Sequence, residues 1–456
     1  MHNMKWFVNM RFIGLMLFLA IVLIPIIPFH DDWWYLTAPN IHFTLRDLLP
    51  AQSFWRPFDA LFGGALGVMP FCFPWANKIA IVLAHALNIG LLDRVLRQFW
   101  HDDSRTNAQR RFALCIMAFS SATVASLVNT DTINQVWCIT WGLYGTFLIL
   151  RKEGTQYPIS AIACFFISIV VKESGASWLA VAPLMDYIRT RDLKTLCRRA
   201  FVGALVLAVY FGLRFLLQGS FVLSGDEYYA FSFAPTRVMV NFLIGMLMGC
   251  SAIDGLAFFS GKHILFAITV CLSLAGWLFL LVSLFRYNGL ENIRRLILGL
   301  LIVLSFAAPH CFFKYFHPAE LHMYSIVAGV AILIGCMKFS SGRIFGIYLG
   351  AVCFAGLFMI GWVDKIGAIY KRSQRTREVL RKIEEAKVSL EEDVVFVIDE
   401  DPSICCYSVF SQSVIHGLGK NKALRSLNGW RDTKAKVITT KAVPSLPAQT
   451  RVIRLD

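Results

Sequence analysis

Charged residues are scarce in this chain. Only 16% of its 456 residues are Asp, Glu, Lys or Arg, whereas 57% are apolar. A soluble domain carries about 25% charged residues. A core this apolar cannot be wrapped by so few charges, so most of the surface must face lipid. The mean hydropathy of +0.60 agrees. Acidic residues are the scarcer kind, 29 against 44 Lys and Arg, which leaves a net charge of +15. No stripe of Lys and Arg alternates with exposed aromatics, which excludes nucleic acid as a partner. No CxxC occurs, and no Cys/His spacing fits a zinc site. Most cysteines, among them Cys115, Cys138, Cys164, Cys271 and Cys353, fall in apolar runs and act as small hydrophobes. Cys405 and Cys406 read as ordinary thiols. The first apolar run, from Val8 to Phe29, ends in Pro25, Pro28 and Phe29 without a small-x-small cleavage site, so it counts as a span rather than a signal peptide. Repeats and low-complexity segments are lacking.

What is present is a series of apolar runs. A helix needs about 20 apolar residues to cross the hydrocarbon layer. Spans fall near 9–29, 75–96, 111–128, 135–150, 157–171, 175–188, 200–217, 263–285, 294–309, 321–337 and 344–362. Loop charges set their direction. Lys5 and Arg11 precede the first span. Arg94, Arg97, Arg105, Arg110 and Arg111 follow the second. Arg151 and Lys152, 189–199, 286–295, and Lys338 with Arg343 follow later even-numbered spans. All these loops fall on one side, the cytoplasm. The N-terminus is then cytoplasmic and the C-terminus extracytoplasmic. Residues 236–254 are apolar enough for a helix, but counting them as a span breaks the alternation. An interfacial or re-entrant helix on the outer face fits better.

The expected fold is therefore an all-α polytopic membrane protein of about 11 transmembrane helices over 1–362. A long first outer loop occupies 30–74, and a small α/β extracytoplasmic domain occupies 363–456. In that domain 365–387 is a charged helix, and 393–399, 436–440 and 451–455 read as strands.

Unusual polar residues collect on the outer side. The first outer loop opens with His30-Asp31-Asp32-Trp33-Trp34-Tyr35. Carboxylates beside lipid and three aromatics are either partly desolvated general bases or solvated acids in an aromatic belt. Trp55-Arg56-Pro57 offers a guanidinium fork for phosphate, or a snorkelling interfacial Arg. The second outer loop, with Asn129, Asp131, Asn134 and Gln135, reads as solvated. Lys172 and Glu173 close the fifth span, where an ion at membrane depth marks a functional site by default. Arg214 and Arg237 lie near the same face. Between 309 and 324 come His310, Lys314, His317, Glu320 and His322; His317 and Glu320 have a helix-like spacing, but Pro318 between them argues against a metal site. Arg56, Lys172, Arg214, Arg237 and Lys314 run against the positive-inside trend, which points to a bound anion.

In their order these features resemble the GT-C superfamily of membrane glycosyltransferases, in particular its protein O-mannosyltransferase-like and aminoarabinose-transferase-like branches. An acidic motif follows the first span (Asp31-Asp32). An aromatic-Arg-Pro element shares its loop (Trp55-Arg56-Pro57). A polar second span carries His85 and Asn88. Lys172-Glu173 closes the fifth span, and Glu320 to Tyr324 opens a late one. The resemblance implies an inverting transfer of a monosaccharide from a polyprenyl- or dolichyl-phosphate-linked donor. The implied acceptor is a lipid, glycan or protein on the outer face. A compact chain without obvious eukaryotic retention signals is expected in a bacterial inner membrane; an endoplasmic reticulum enzyme would keep the same topology.

The resemblance further implies that Asp31 or Asp32 activates the acceptor hydroxyl. Arg56, Lys172, Arg214, Arg237 and Lys314 would hold the leaving lipid phosphate, with Glu173, His317 and Glu320 completing the binding set. Trp33, Trp34, Tyr35 and Trp55 would stack on sugar or isoprenoid. Phe58 departs from the aliphatic residue common in the family after the Arg-Pro element. Carboxylates for a divalent metal are few, so no cofactor is expected. His85 and Asn88 read as a helix-packing pair. The competing readings are an O-antigen ligase or polymerase, whose large loop comes late; a transporter or flippase, which would need repeats and midplane sites; and a scaffold.

Overall fold

A computed structural model describes residues 10–23, 25–27, 33, 75–99, 104–151, 157–218, 233–285, 289–312, 322–337, 344–400, 413–419, 421–428, 433–445 and 450–455. Its main helices are α1 (Met10–Leu23), α2 (Trp75–Arg97), α3 (Ser104–Phe119), α4 (Ile133–Arg151), α5 (Ile159–Val171), α6 (Trp178–Thr190), α7 (Leu193–Gln218), α8 (Pro235–Ser251), α9 (His263–Phe285), α10 (Gly289–Cys311), α11 (Met323–Cys336) and α12 (Ile344–Glu385). Among the described residues seven helical segments are, by length and composition, long and apolar enough to cross a membrane: 77–97, 108–128, 133–151, 193–217, 263–283, 291–311 and 346–385.

Every expected span has a helix, but two are short. α1 is described over Met10–Leu23, ahead of Pro25. Proline offers no N–H and cannot continue the ladder. α5 and α11 have 13 and 14 residues. Residues 235–251 form α8, whose buried residues Asn241, Gly245 and Gly249 repeat at four-residue spacing. A Cβ on Gly249 would lie 2.5 Å from Ile326 Cγ2, so α8 approaches α11 through small residues.

Hydrogen bonds and ion pairs sort the helix ends into two groups. At one end Arg110 and Arg97 both meet Asp93, and Arg199 pairs with buried Asp186. Arg191 and Arg295 share Glu291, and Arg294 donates to Tyr187 Oη. Gln109 caps the end of α11 by donating to the carbonyls of Ile334, Gly335 and Met337. All the described members of the basic loops among these residues therefore share one end, which collects most of the acids that offset them. At the opposite end lie 121–132, the 3-10 turn Glu173–Ser177, the start of α8 and the end of α10.

α12 is 42 residues long, or about 63 Å, twice the ~30 Å hydrocarbon layer. It runs unbroken across the 362/363 boundary read from composition. Ile369 belongs to the bundle core, and Ile383 belongs to a second core. That second core is the C-terminal domain. Its sheet has the order β2-β1-β3, with β1 (Val394–Ile398) central and parallel to both β2 (Lys436–Thr439) and β3 (Arg451–Arg454). All five β1 residues are buried, as a strand covered on both faces requires.

Candidate functional site

The end away from the arginine-rich loops contains an unusual set of buried polar side chains. Two short helices end at it. At about 1.5 Å per residue α5 and α11 rise only ~20 Å, less than the ~30 Å hydrocarbon layer. Non-helical backbone at such depth is tolerated where protein buries it or polar groups line it.

The turn after α5 carries Lys172 and Glu173. Gly175 N donates to Lys172 O at 2.8 Å, which closes the turn. A Cβ on Gly175 would run into Ser168, so glycine lets the turn fold back over α5. Ser168 Oγ in turn donates to Cys138 O at 2.7 Å, which ties α5 to α4. Glu173 Oε1 lies 3.7 Å from Arg214 Nη1, near the end of α7. The Arg214 side chain is 2% exposed and that of Glu173 is 22% exposed. At this distance they form a charge pair rather than a direct hydrogen bond. Lys172 lies close enough to His310 and Cys138 for its charge to act on both.

His310, in the last turn of α10, stacks on His322, which precedes α11; the ring centroids are 4.2 Å apart at 15°. Gln135 Nε2 and His322 Nδ1 lie 2.7 Å apart. Gln135 Oε1 is buried and has no partner among the described residues. Deeper down, Tyr324 Oη lies 2.7 Å from His85 Nδ1 and accepts from Asn88 Nδ2 at 3.0 Å. Asn88 Nδ2 also donates to Val136 O at 3.0 Å. A polar column thus leads from the turn at Lys172 toward the middle of α2. It draws residues from α2, α4, α5, α7, α10 and α11. Stretches remote in sequence meet here.

The sequence-based expectations fare unevenly. Lys172, Glu173 and Arg214 come together. Arg237 sits at the same end but is exposed, one turn before Asn241, whose Nδ2 donates to Cys311 O at 3.0 Å. Asp31, Asp32, Trp34, Tyr35, Trp55, Arg56, Lys314, His317 and Glu320 lie outside the described residues. Trp33 corrects the reading of it as a sugar or lipid contact. Its indole is 3% exposed, packs in the C-terminal core, and donates Nε1–H to Gly417 O at 2.9 Å; a ring so enclosed has no face left for a ligand. The second outer loop is likewise not solvated. Asn129, Asn134 and Gln135 are all buried. Arg214 is buried rather than at the surface.

Two buried lysines at this end were not singled out from sequence. Lys78 donates to Val128 O at 2.8 Å, and Lys365 to Ser121 O at 3.1 Å. A cation inside the apolar run 75–96 is the signal that marks Lys78. Lys365 looks like part of a charged helix until the fold turns it inward. Beside it, Asp254 is buried and Asp364 half-buried, and Lys262 pairs with Asp364. Burial, reinforced by neighbouring Asp364 and opposed by Lys365, pushes the Asp254 carboxyl above the usual carboxylate range. Among the described residues no group of three or more His, Cys, Asp or Glu is placed to hold a metal ion. A shallow groove of about 380 Å³ lies elsewhere, on the C-terminal domain, lined by Ile383, Glu384, Leu390, Glu391, Leu427 and Asn428 among others.

Fold and site together define a helical protein with the spans of an integral membrane protein and a buried polar column at one end of the bundle. Compared with family models, with curated proteins and with solved structures, the chain shows no match.

Proposed function

We propose that this chain is an inverting glycosyltransferase of the GT-C kind, which moves a monosaccharide from a polyprenyl-phosphate donor to a lipid, glycan or protein acceptor on the outer membrane face. The observation that carries this reading is the meeting of Lys172, the Glu173–Arg214 pair, stacked His310 and His322, and Gln135 at one end. That end lies opposite the arginine-rich loops, and positive-inside bias makes those loops cytoplasmic. The chain then crosses about eleven times, with α8 lying on or dipping into the outer face. The polar column opens at the outer border of a bacterial inner membrane, where a lipid phosphate resides.

The chemistry follows. Asp31 or Asp32 takes the proton of the acceptor hydroxyl. The acceptor oxygen forms its bond to the anomeric carbon as the bond from that carbon to the phosphate oxygen breaks. The lipid phosphate leaves with the electron pair and needs no protonation, because Lys172 and Arg214 stabilise its charge. Arg56, Arg237, Lys314, His317 and Glu320 complete the binding set in this reading. A second reading, a transporter or flippase, draws on the depth of the His85–Tyr324–Asn88 group, which reaches the middle of α2.

The test is transfer from a polyprenyl-phosphate sugar by purified protein in nanodiscs, with Asp31→Asn, Asp32→Asn and the double variant. One single variant and the double are expected to lose transfer, while donor binding persists. Full activity in the double variant rejects the base. Donor movement across a bilayer without transfer favours the second reading.

A further inference from the structure

Three segments meet at the end of the bundle away from the arginine-rich loops. α12 brings Trp362, Asp364 and Lys365. The end of α3 and the turn after it bring Phe119 and Ser121. The connection between α8 and α9 brings Ala252, Asp254 and Lys262. Trp362 Nε1 donates to Phe119 O at 2.8 Å, Lys365 Nζ to Ser121 O at 3.1 Å, and Ser121 Oγ to Ala252 O at 3.4 Å. A Cβ on Gly361 would lie 2.5 Å from Ser121 Cβ, so α12 passes close against the turn. Lys262 closes the ring by pairing with Asp364 Oδ1.

Two carboxyl groups sit inside this ring. Asp254 is 0% exposed and the Asp364 side chain 8%. One oxygen of each is accounted for. Asp254 Oδ1 accepts from the amides of Leu256 and Ala257 at 3.1 and 3.4 Å, which caps the short helix Gly255–Phe259. Asp364 Oδ1 has Lys262. The second oxygens, Asp254 Oδ2 and Asp364 Oδ2, are both buried and meet no donor among the described residues. The two carboxyl groups are within hydrogen-bond reach of each other. Ionised acids only accept, so the two can bond only through a proton. Without it, like charges would stand side by side in a buried site.

The local charges agree with one proton. Lys365 is 2% exposed, whereas the Lys262 side chain is 48% exposed and its charge is screened by solvent. A single shared proton leaves one buried negative charge to face one buried ammonium. Ser121 and Thr269, which accepts from Asp254 N at 3.5 Å, are neutral. His263, at the start of α9, is exposed and lies edge-on to Phe258.

We propose that Asp254 and Asp364 share one proton, and that this carboxyl–carboxylate bond is an acid-dependent latch fastening the α8–α9 connection to α12. Loss of the proton turns attraction into repulsion between the two segments and loosens the short helix Gly255–Phe259. Lys262 and Lys365 limit how far the pair separates. The proton belongs to the pair rather than to either residue. The upward displacement of the Asp254 carboxyl, caused first by burial, has the same sense. The latch is independent of the transfer chemistry proposed above.

The test uses the full chain in nanodiscs. Infrared spectra of the native protein, Asp254→Asn and Asp364→Asn are recorded against pH, beside amide hydrogen exchange of the peptide covering 253–262. The native protein is expected to show the carbonyl stretch of a protonated acid at pH values well above 3.8, the ordinary aspartate value. Both variants lose that band, because the asparagine amide donates to the remaining carboxylate and keeps it ionised. As the band disappears with rising pH, exchange of 253–262 speeds up about tenfold beyond its intrinsic pH dependence. In both variants this extra step is absent. If either variant does not fold, Lys262→Met decides: its side chain is half in solvent, and losing a cation beside the pair moves the midpoint of the band to higher pH. Equal carbonyl bands in the native protein and both variants, or an unmoved midpoint in Lys262→Met, overturn the shared proton. A band that titrates with no change in exchange overturns the latch.

Discussion

Replacing Arg214 by Met, Glu173 by Gln, and both together separates what the pair does for stability from what Arg214 does for a ligand. At 3.7 Å and an effective dielectric constant near 20, the gross Coulomb attraction is about 4.5 kcal/mol. Desolvation of the buried guanidinium takes back most of this, so the intact pair adds little net stability, while removing one partner leaves the other uncompensated. Breaking a fully buried pair costs about 3–5 kcal/mol. Glu173 keeps 22% of its side chain exposed, so Arg214→Met is expected to cost less, about 2 kcal/mol. Glu173→Gln costs at least as much, because the better-buried member keeps its charge. The double variant regains most of the loss, since neither charge remains uncompensated. Denaturant or thermal unfolding in detergent, read by tryptophan fluorescence, measures all four proteins. If the loss in the double variant, relative to the native protein, equals the sum of the two single losses, the two side chains are not coupled. Transfer kinetics give the second readout. If Arg214 holds the leaving phosphate, activity stays low in the double variant although stability recovers. Recovery of both would show that Arg214 serves only to balance Glu173, and the phosphate role would fall.

Two further outcomes follow from the same geometry. Tyr324→Phe removes the hydroxyl shared by His85 and Asn88 and leaves buried polar atoms unsatisfied, so unfolding free energy should drop by about 1–3 kcal/mol; a change within error would mean that water replaces the hydroxyl. Asp254 has a raised folded-state pKa, caused by burial. Its contribution is therefore fully present below its ordinary value of 3.8 and declines as pH rises toward the raised one. Asp254→Asn, whose side-chain oxygen can still accept from Leu256 and Ala257 as Asp254 does, should lose that component of the decline in melting temperature as pH rises above 3.8; identical pH profiles for the two proteins would refute it.

The helical architecture was open to a reader of the chain because its cause is local. A run of apolar side chains has nowhere to go but lipid or core, and each such run forms a helix whether or not its partners are known. The strands at 394–398, 436–439 and 451–454 were legible for the same reason. Where helices end was harder. α11 stops short of a full crossing, and its last carbonyls accept from Gln109 of another helix, which no local pattern marks.

At the candidate site, residue type alone marked Lys172 and Glu173, since ions beside an apolar run demand an explanation. It did not reveal that Glu173 faces Arg214, or that His310 stacks on His322 across separate helices. Asn129, Asn134 and Gln135 look like an ordinary wet loop, because burial is a property of what covers a residue. Trp33 shows the same limit most clearly. Its sequence neighbours suggest a membrane-facing aromatic, yet its place is in the core of a domain built from the other end of the chain. Composition and periodicity therefore determined on their own that this chain makes apolar helices with a polar, strand-bearing tail. Which side chains meet, and which are hidden, was decided only by tertiary packing, because both depend on distances between segments that no local pattern encodes.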